Sequence, residues 1–502
     1  MFRGLNCLQK RERQGASLTG REVELKFRCE ARDLDAVLAA APGEGLQTRD
    51  LVSTYFDTPD GALSGRHMSL RLRESAGGAV VQTFKAGQGL TRQELEWPAP
   101  QGLDLGHPKL RAVLKAPLRK ALAEAFTVTI SRRQRTFDYK GAQIELALDE
   151  GEARRGDQRR AICEVELELK SGSSAALFDL ARELSRVAPL RLSFLGKASQ
   201  GQMLVQQAPS FSRDTDLALT RDTSPGEAFQ VLARRAFVDL TLHAEAYSES
   251  GHGRALHSLR VSTRRLKSYL ATFSPLQDET AASAVRKHLN WLLQVSAEAR
   301  NLDVFAETYL QSDPSGPLAQ AVKAASASAH ARTRAALASG RLRQLLLDLA
   351  AWVETDAWQG RSDQAAGALK QRLRPFARRV LNQSLKRLAR HAKDLRALDP
   401  EARHLVRLKA KRLRYVLEAF IPLFASGHAT RYLTTLRAIQ TDLGDLNDAA
   451  AAVPLVQGLN LGDGETLALQ GIAARTTALE AGLATTNRKL RRLLDQAPPW
   501  AT

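Results

Sequence analysis

Two patterns of ionisable residues in this chain are spaced so that they could do chemistry. In the first, charges alternate with apolar residues: Glu22, Glu24 and Lys26; Arg71 and Arg73; Arg92, Glu94 and Glu96; Glu145 and Asp149; Glu164, Glu166, Glu168 and Lys170. A spacing of two puts each set on one face of a β-strand. For any single strand a solvated face is the plain alternative. Carboxylates at i and i+2, however, stand about 6.5–7 Å apart along a strand, which is unfavourable unless a cation is shared. Hard carboxylate oxygens favour Mg²⁺ or Mn²⁺. The other strands supply cations, including Lys85, so a single closed sheet would combine a metal site with an anion site. Such a site can polarise phosphate and activate water without a Ser, Cys or His nucleophile. The histidines of this half, His67 and His107, fit no triad.

The second pattern occurs twice. His257, Arg260, Arg264, Arg265 and Lys267 return at an offset of 147 residues as His404, Arg407, Lys411, Arg412 and Arg414, and Ala297–Asp303 returns as Gly444–Ala450. Positions 0, 3, 7 and 10 of a helix fall within an arc of about 80°, so each copy aims one His and three cations in one direction. Like charges on one stripe repel unless an anion lies between them, and two copies predict a polyanionic ligand. Nucleic acid would want aromatic rings interleaved with the cations. Only Tyr269 and Tyr415 stand near the stripes, which favours inorganic polyphosphate over RNA or DNA.

The elements that must position these residues change character along the chain. Period-two segments with Gly and Pro punctuation run from residue 22 to about 207, interrupted by helical stretches near 34–41 and 175–187. From Gly226 onward Ala, Leu and Arg recur at helical spacing, with Leu256, Leu259, Leu266 and Leu270 marking one buried stripe and Leu405, Leu408 and Leu413 the other. The segment between reads as a linker. The expected class is α+β multidomain: residues 1–19 a disordered extension, 20–207 a β domain, 208–226 a linker, and 227–497 an all-α domain of two repeats, about 227–350 and 365–497. The formal charge of +19 is uneven, with 39 Lys and Arg against 25 Asp and Glu in residues 226–502. That field recruits phosphate-rich partners without choosing among them. Three scattered cysteines exclude a disulfide framework and fit a reducing, cytoplasmic setting, and no apolar run reaches transmembrane length.

The segments REVELKF, YFDTPD, LRLR, TFK, RQELE, IELALDEG and EVELELK, in that order, resemble the CYTH family of triphosphate tunnel metalloenzymes. The resemblance covers about residues 20–205 and implies an eight-stranded antiparallel tunnel that hydrolyses or transfers a triphosphate with divalent metal. It makes Glu22, Glu24, Glu164 and Glu166 metal ligands with Asp149 and Glu168 nearby. Lys26, Arg71, Arg73 and Lys85 become the catalytic phosphate clamp, joined by one or more of Arg132, Arg133 and Arg135, with Arg92, Glu94 and Glu96 lining the tunnel. The resemblance also makes Lys197 a triphosphate contact, although Gly196 stands before it where the family has Ser. The stretches HSLRVSTRRLK, HLVRLKAKRLRYVLE and LGDLNDA resemble the CHAD family, which implies two pseudo-symmetric helical bundles around a basic groove for polyphosphate and an association with polyphosphate granules. Here Ala297 and Asn301 replace the usual Gly and Asp, and Asp303, Asn447 and Asp448 read as structural caps and salt-bridge partners. Together these readings imply an inorganic triphosphatase. The alternatives are a non-catalytic polyphosphate-granule binding protein, or an enzyme acting on thiamine triphosphate, nucleoside triphosphates or ATP.

Overall fold

The computed structural model describes residues 23–75, 77–87, 93–205, 219–220, 222–311, 313–392, 394–424, 426–459 and 463–501. Glu22, Arg92, the expected extension and most of the expected linker lie outside the described residues. Two compact units are formed: one takes the chain to Thr215 together with Arg343–Thr355, the other takes Asp216–Leu342 and Asp356–Thr502.

The first unit is built on one antiparallel sheet of nine strands, β1 (Val23–Arg28), β2 (Gln47–Asp57), β3 (Met68–Ser75), β4 (Val80–Ala86), β5 (Gln93–Pro98), β6 (Ala123–Tyr139), β7 (Ala142–Arg155), β8 (Gln158–Ser171) and β9 (Arg191–Leu192). Their order is β5-β4-β3-β2-β6-β7-β8-β1-β9. The ninth strand, beyond the eight expected, is a two-residue piece paired to β1 at Phe27 and Arg28.

Alternation divides the two faces cleanly. On the outer face Leu25, Phe27, Leu146, Leu148, Val165 and Leu167 are buried, and the helix Ser174–Val187 packs against β7 and β8. That helix buries Leu177, Leu180, Ala181 and Leu184, each apolar side chain worth roughly 1.5–3 kcal/mol when fully removed from water. The charged residues are thereby left to the inner face. The sheet curls enough for the Glu24 charge on β1 to act on Lys85 on β4, although five strands separate β1 from β4 in the order.

The second unit is helical throughout, with helices such as Pro225–Ser250, Gly253–Thr272, Glu279–Val295, Pro400–Phe420 and Gly427–Gln457. Helix starts follow local chemistry: Ser224 and Glu227 form a capping box ahead of Pro225, and Asp399 caps the helix that Pro400 begins. In Gly253–Thr272 the leucines at 256, 259, 266 and 270 are buried as expected. In Pro400–Phe420 the expected stripe is displaced, for Leu408 is 44% exposed and Leu405 only half-buried. Leu413 is buried as expected, and Val406, Ala410 and Leu417 take the other core positions; these four are the residues 147 beyond Leu266, Leu259, Thr263 and Leu270. No helix among the described residues is long and apolar enough to cross a membrane.

Candidate functional site

Strand register assembles a charged inner face from residues remote in sequence. Directly opposed residues share a face. Arg132 on β6 stands opposite Asp149 on β7; Asp149 and Glu145 stand opposite Glu164 and Glu168 on β8; and Glu166 and Glu168 stand opposite Lys26 and Glu24 on β1. Across the hollow Tyr55 faces Arg71 and Ser53 faces Arg73, Thr83 faces Arg71, and Glu94 and Glu96 face Lys85 and Thr83. One wall is rich in carboxylates, and Arg71, Arg73 and Lys85 stand on the wall opposite.

On the carboxylate wall every charge is bound up with another. Lys197 Nζ lies 2.6 Å from Asp149 Oδ2, 2.7 Å from Glu164 Oε2 and 2.8 Å from Glu166 Oε1. Arg132 donates to both oxygens of Asp149, at 2.7 and 2.6 Å, and to Glu166 Oε2 at 2.7 Å. Lys26 Nζ is 2.7 Å from Glu166 and 3.5 Å from Glu24. Burial pushes the Glu166 carboxyl up, but Lys197, Lys26 and Arg132 outweigh it and hold the group well below the usual carboxylate range. Asp149 is lowered by the same contest between burial and Lys197 with Arg132. Burial lowers Lys26 and Lys197, and their carboxylates more than reverse this, raising Lys26 and placing Lys197 well above the ordinary lysine value.

The opposite wall behaves differently. Burial and the neighbouring Arg71 and Arg132 lower Arg73 to about 10, against a smaller contribution from Tyr55 and Glu166. Lys85 pairs with Glu94 at 2.7 Å, yet burial and Arg71 still bring it down. Burial raises the Tyr55 hydroxyl, while Arg71, Arg73 and Lys197 outweigh it and lower the group. On this wall positive charge outweighs negative around Arg73 and Tyr55.

The inner face turns apolar along its length. Tyr55, Phe126, Val128, Ile130, Ala153 and Ile162 form one cluster, with Ala198, Leu204 and Val205 packed on it. The helix Lys197–Gln202 sits there because residue 201 is glycine: a Cβ at that position would lie 2.0 Å from the Phe126 ring. This seat aims Lys197 at the three carboxylates and brings Gln200 to hydrogen-bond Glu164.

Asp149, Glu164 and Glu166 can bring one oxygen each to within 4.8 Å of one another, an all-oxygen donor set that suits a hard divalent cation. The Lys197 ammonium stands among the same three groups, so the position already balances a positive charge. Glu24 and Glu168, opposed on β1 and β8, extend the set along the wall.

Two of the expected phosphate contacts leave the hollow. Arg133 and Arg135 fall on the outer face because they are odd-numbered where Arg132 is even. Arg133 pairs with Asp35 at 2.7 Å, and Arg135 donates to the carbonyls of Leu38 and Ala41, so both fasten the helix Leu34–Ala40 to β6. Lys26, Arg132 and Lys197, expected in the phosphate clamp, stand within the carboxylate wall. Glu94 and Glu96 line the hollow, Glu96 accepting from Thr83 Oγ1 at 3.3 Å. Gln200 was missed, although its i+3 spacing from Lys197 puts both on one helical face.

In the second unit the helices Gly253–Thr272 and Pro400–Phe420 pack together, bringing both basic stripes into one groove. Burial and then Arg264, Arg407, Arg414 and Arg260 lower Lys411 to about 7. Arg264 is lowered by burial, with Arg407 and Arg300 adding to the effect against Tyr415 and Asp448. Lys267 is lowered by burial and Arg264, and Arg414 lies 4.8 Å over the Tyr415 ring. Arg260 is buried and donates to the Leu293 carbonyl and to Ser296 Oγ, capping the helix Glu279–Val295 while its charge remains in the cluster.

Arg265 and Arg412 do not join the stripe. Each is one residue, about 100°, past a stripe position. Arg265 turns to Asp239, and Arg412 donates to the Ala271 carbonyl at 3.2 Å. The two histidines also differ. His404 shares a hydrogen bond with Asn447, but 147 residues earlier stands Arg300, which together with burial and Arg264 lowers His257. Arg300 is legible in the sequence only through the repeat offset, which places it beside His257. Asp303 Oδ1 and His330 Nε2 share a hydrogen bond at 2.8 Å.

A family model described as the CYTH domain matches residues 20–200, and one described as the CHAD domain matches residues 232–457. An inorganic triphosphatase from Haemophilus influenzae is 28% identical over 192 residues, covering 36% of this chain and 54% of the relative. The chain thus spans about half the length of that curated relative. The CHAD domain from the plant Ricinus communis is 26% identical, covers 55% of this chain and 94% of its own, and superposes with a TM-score of 0.49. A putative adenylyl cyclase from Hippeastrum, described as having a dominant triphosphatase activity, is 18% identical over 36% of this chain and 95% of its own, with a TM-score of 0.28. The chain therefore carries a CYTH domain followed by a CHAD domain.

Proposed function

We propose that this protein hydrolyses inorganic triphosphate to pyrophosphate and phosphate with Mg²⁺ or Mn²⁺, and that its helical unit binds inorganic polyphosphate. The observation that carries the reading is the two-walled hollow, with carboxylates on β7, β8 and β1 and electron-poor cations on β3 and β4. Arg71, Arg73 and Lys85 bind and neutralise the phosphate chain. Glu24, Glu164 and Glu166, with Asp149 and Glu168 beside them, would hold the divalent cation. Such an ion would supply Lewis-acid charge to the phosphate oxygens and would lower the pKa of water at the site. Lys197 and Arg132 keep the carboxylates ionised and oriented. Among the described inner-face residues the aromatic rings are Tyr55 and Phe126, which stack on each other at 4.8 Å; this favours the phosphate chain, rather than a base, as what the walls recognise. The relative from Haemophilus influenzae carries the same activity in its name.

The groove completes the reading. Its cations depress one another's proton affinity, and a polyphosphate chain supplies the charge that relieves them. The test is phosphate release from tripolyphosphate, thiamine triphosphate, ATP and long-chain polyphosphate, with Mg²⁺, with Mn²⁺ and with chelator. Metal-dependent turnover of tripolyphosphate above the organic triphosphates is expected. Polyphosphate binding with no release from any substrate would make this a polyphosphate-binding protein.

A further inference from the structure

Two thiols that the proposed chemistry does not use face each other behind the carboxylate wall. Arg28 on β1 stands opposite Glu164 on β8, so the next antiparallel pair is Cys29 and Cys163. The register continues that far: the Cys29 N–H donates to the Cys163 carbonyl at 3.4 Å. The two Sγ atoms are 3.5 Å apart, and both cysteines are unbridged. As odd-numbered residues they lie on the outer face with Phe27 and Val165, back to back with Glu164.

Directly opposed residues of a hydrogen-bonded antiparallel pair have Cα atoms about 5.5 Å apart, inside the range of roughly 4.4–6.8 Å that a disulfide spans. Bonding the sulfurs at about 2.05 Å needs a closure of about 1.5 Å, which side-chain rotation can supply without moving either strand. Cys163 is partly exposed and Cys29 is buried, so a small oxidant meets Cys163 first.

We propose that Cys29 and Cys163 form a reversible dithiol site for a peroxide-class oxidant, closing to a disulfide that ties β1 to β8. In the first step the Cys163 sulfur, its proton released, attacks one peroxide oxygen. The O–O bond breaks, the leaving oxygen takes up a proton as water, and the sulfur becomes a sulfenic acid. In the second step the Cys29 sulfur attacks that sulfur, the S–S bond forms, and hydroxide leaves with the Cys29 proton as a second water. Two thiols and one hydrogen peroxide give one disulfide and two waters, with two electrons passing from sulfur to oxygen. The tie joins the strand bearing Glu24 and Lys26 to the strand bearing Glu164 and Glu166.

The experiment treats the full-length reduced protein with hydrogen peroxide, denatures and alkylates it, and maps peptides by mass. Three alkylatable thiols should fall to one, the intact protein should lose two mass units, and a linked peptide pair containing Cys29 and Cys163 should appear and vanish on adding a dithiol reductant. The link should persist in C7S and be absent from C29S and C163S. Three persisting thiols under excess peroxide would overturn the proposal. So would over-oxidation of Cys163 with no linked peptide, or a link made through Cys7. The wild-type peptide map decides the matter even if a variant folds poorly.

Discussion

Lys26, Arg132 and Lys197 in the hollow and Arg260, Arg264, Lys267 and Lys411 in the helical groove are all at least partly withdrawn from water, yet their proton affinities move in opposite directions. The first group is raised because Asp149, Glu164 and Glu166 outweigh the cost of burial. The second is lowered because burial is joined by further cations. Both directions occur within the hollow as well, since Arg73 on the far wall is lowered; Lys85 is lowered too, by burial and Arg71, although Glu94 already pairs with it. The contrast separates cations whose counter-charge is built into the protein from cations whose counter-charge must arrive with a ligand. Under the proposed function the carboxylate wall would be scaffolding for a divalent cation, and the far wall and the groove would receive the anion.

Removing a built-in counter-charge should do the most damage. Glu166→Ala strips Lys26, Arg132 and Lys197 of a shared partner in a buried site, which should abolish measurable tripolyphosphate turnover and cost about 3–5 kcal/mol of stability, read by denaturant unfolding. The same network sets a pH window. Asp149 and Glu166 titrate lower in the folded protein than their ordinary values of 3.8 and 4.5, so their stabilisation is present above those values and is lost as pH falls through the depressed folded ones. Lys26 and Lys197 titrate above 10.5, so their share is present below that pH and disappears as pH rises through the raised folded values. Glu166→Ala should flatten the acid limb. If stability were unchanged, the network would not be a structural unit.

Glu24→Ala should separate chemistry from scaffolding. Its nearest cation, Lys26, is 3.5 Å away and retains Glu166 at 2.7 Å, so the fold should hold while a ligand for the divalent cation is gone. Turnover should fall by about 10²–10³-fold, the scale of removing one electrostatic contact to a transition state, with the unfolding midpoint unmoved. Near-normal turnover would remove Glu24 from the site.

What the sequence revealed of this contrast follows from how each pattern is encoded. A period of two leaves no ambiguity about faces, so Glu24 with Lys26, and Glu164 with Glu166 and Glu168, could each be placed on one strand face from the sequence; the family resemblance joined the two sets, and the β1–β8 register opposes them. Where three basic residues crowd one short segment, at 132, 133 and 135, alternation permits two answers, and only pairing with Asp149 selects Arg132. Ion-pair partners were not legible: Lys197 reads as a phosphate contact until the Gly201–Phe126 approach shows which way its helix is turned. In the helical half the repeat offset carried more information than hydrophobicity. It would have placed Val406, Ala410 and Leu413 in the core, where the leucines at 405 and 408 misled, and it would have drawn attention to Arg300.

Receptor cations should respond in the opposite way to scaffold cations. Arg264→Ala removes a like charge from a crowd, so stability should be unchanged or slightly higher, while polyphosphate affinity falls and the slope of log affinity against log salt drops by about one cation's worth. Titration of polyphosphate at several salt concentrations measures both. A loss of several kcal/mol on unfolding would show that Arg264 has an internal partner after all, and would end the contrast between the two regions.

The mildest test uses pH on the groove itself. Lys411 titrates near 7 in the free protein because burial and Arg264, Arg407, Arg414 and Arg260 all disfavour its charge. A bound polyphosphate chain supplies negative charge and raises that value, so binding takes up a proton above pH 7 and none well below it. Affinity should therefore be flat below about pH 6 and weaken as pH rises through 7, by at most about tenfold per pH unit. Calorimetry at pH 8 in two buffers of different ionisation enthalpy should show proton uptake that is absent at pH 6. Lys411→Arg keeps the charge at every pH and should hold affinity constant across the range; Lys411→Met should give weaker binding, also without the slope. The slope that these variants remove belongs to Lys411, and any slope they keep belongs to the phosphate chain. A wild-type slope identical to that of Lys411→Arg would mean that the lysine already has its counter-charge before the ligand arrives, which is the arrangement found on the carboxylate wall.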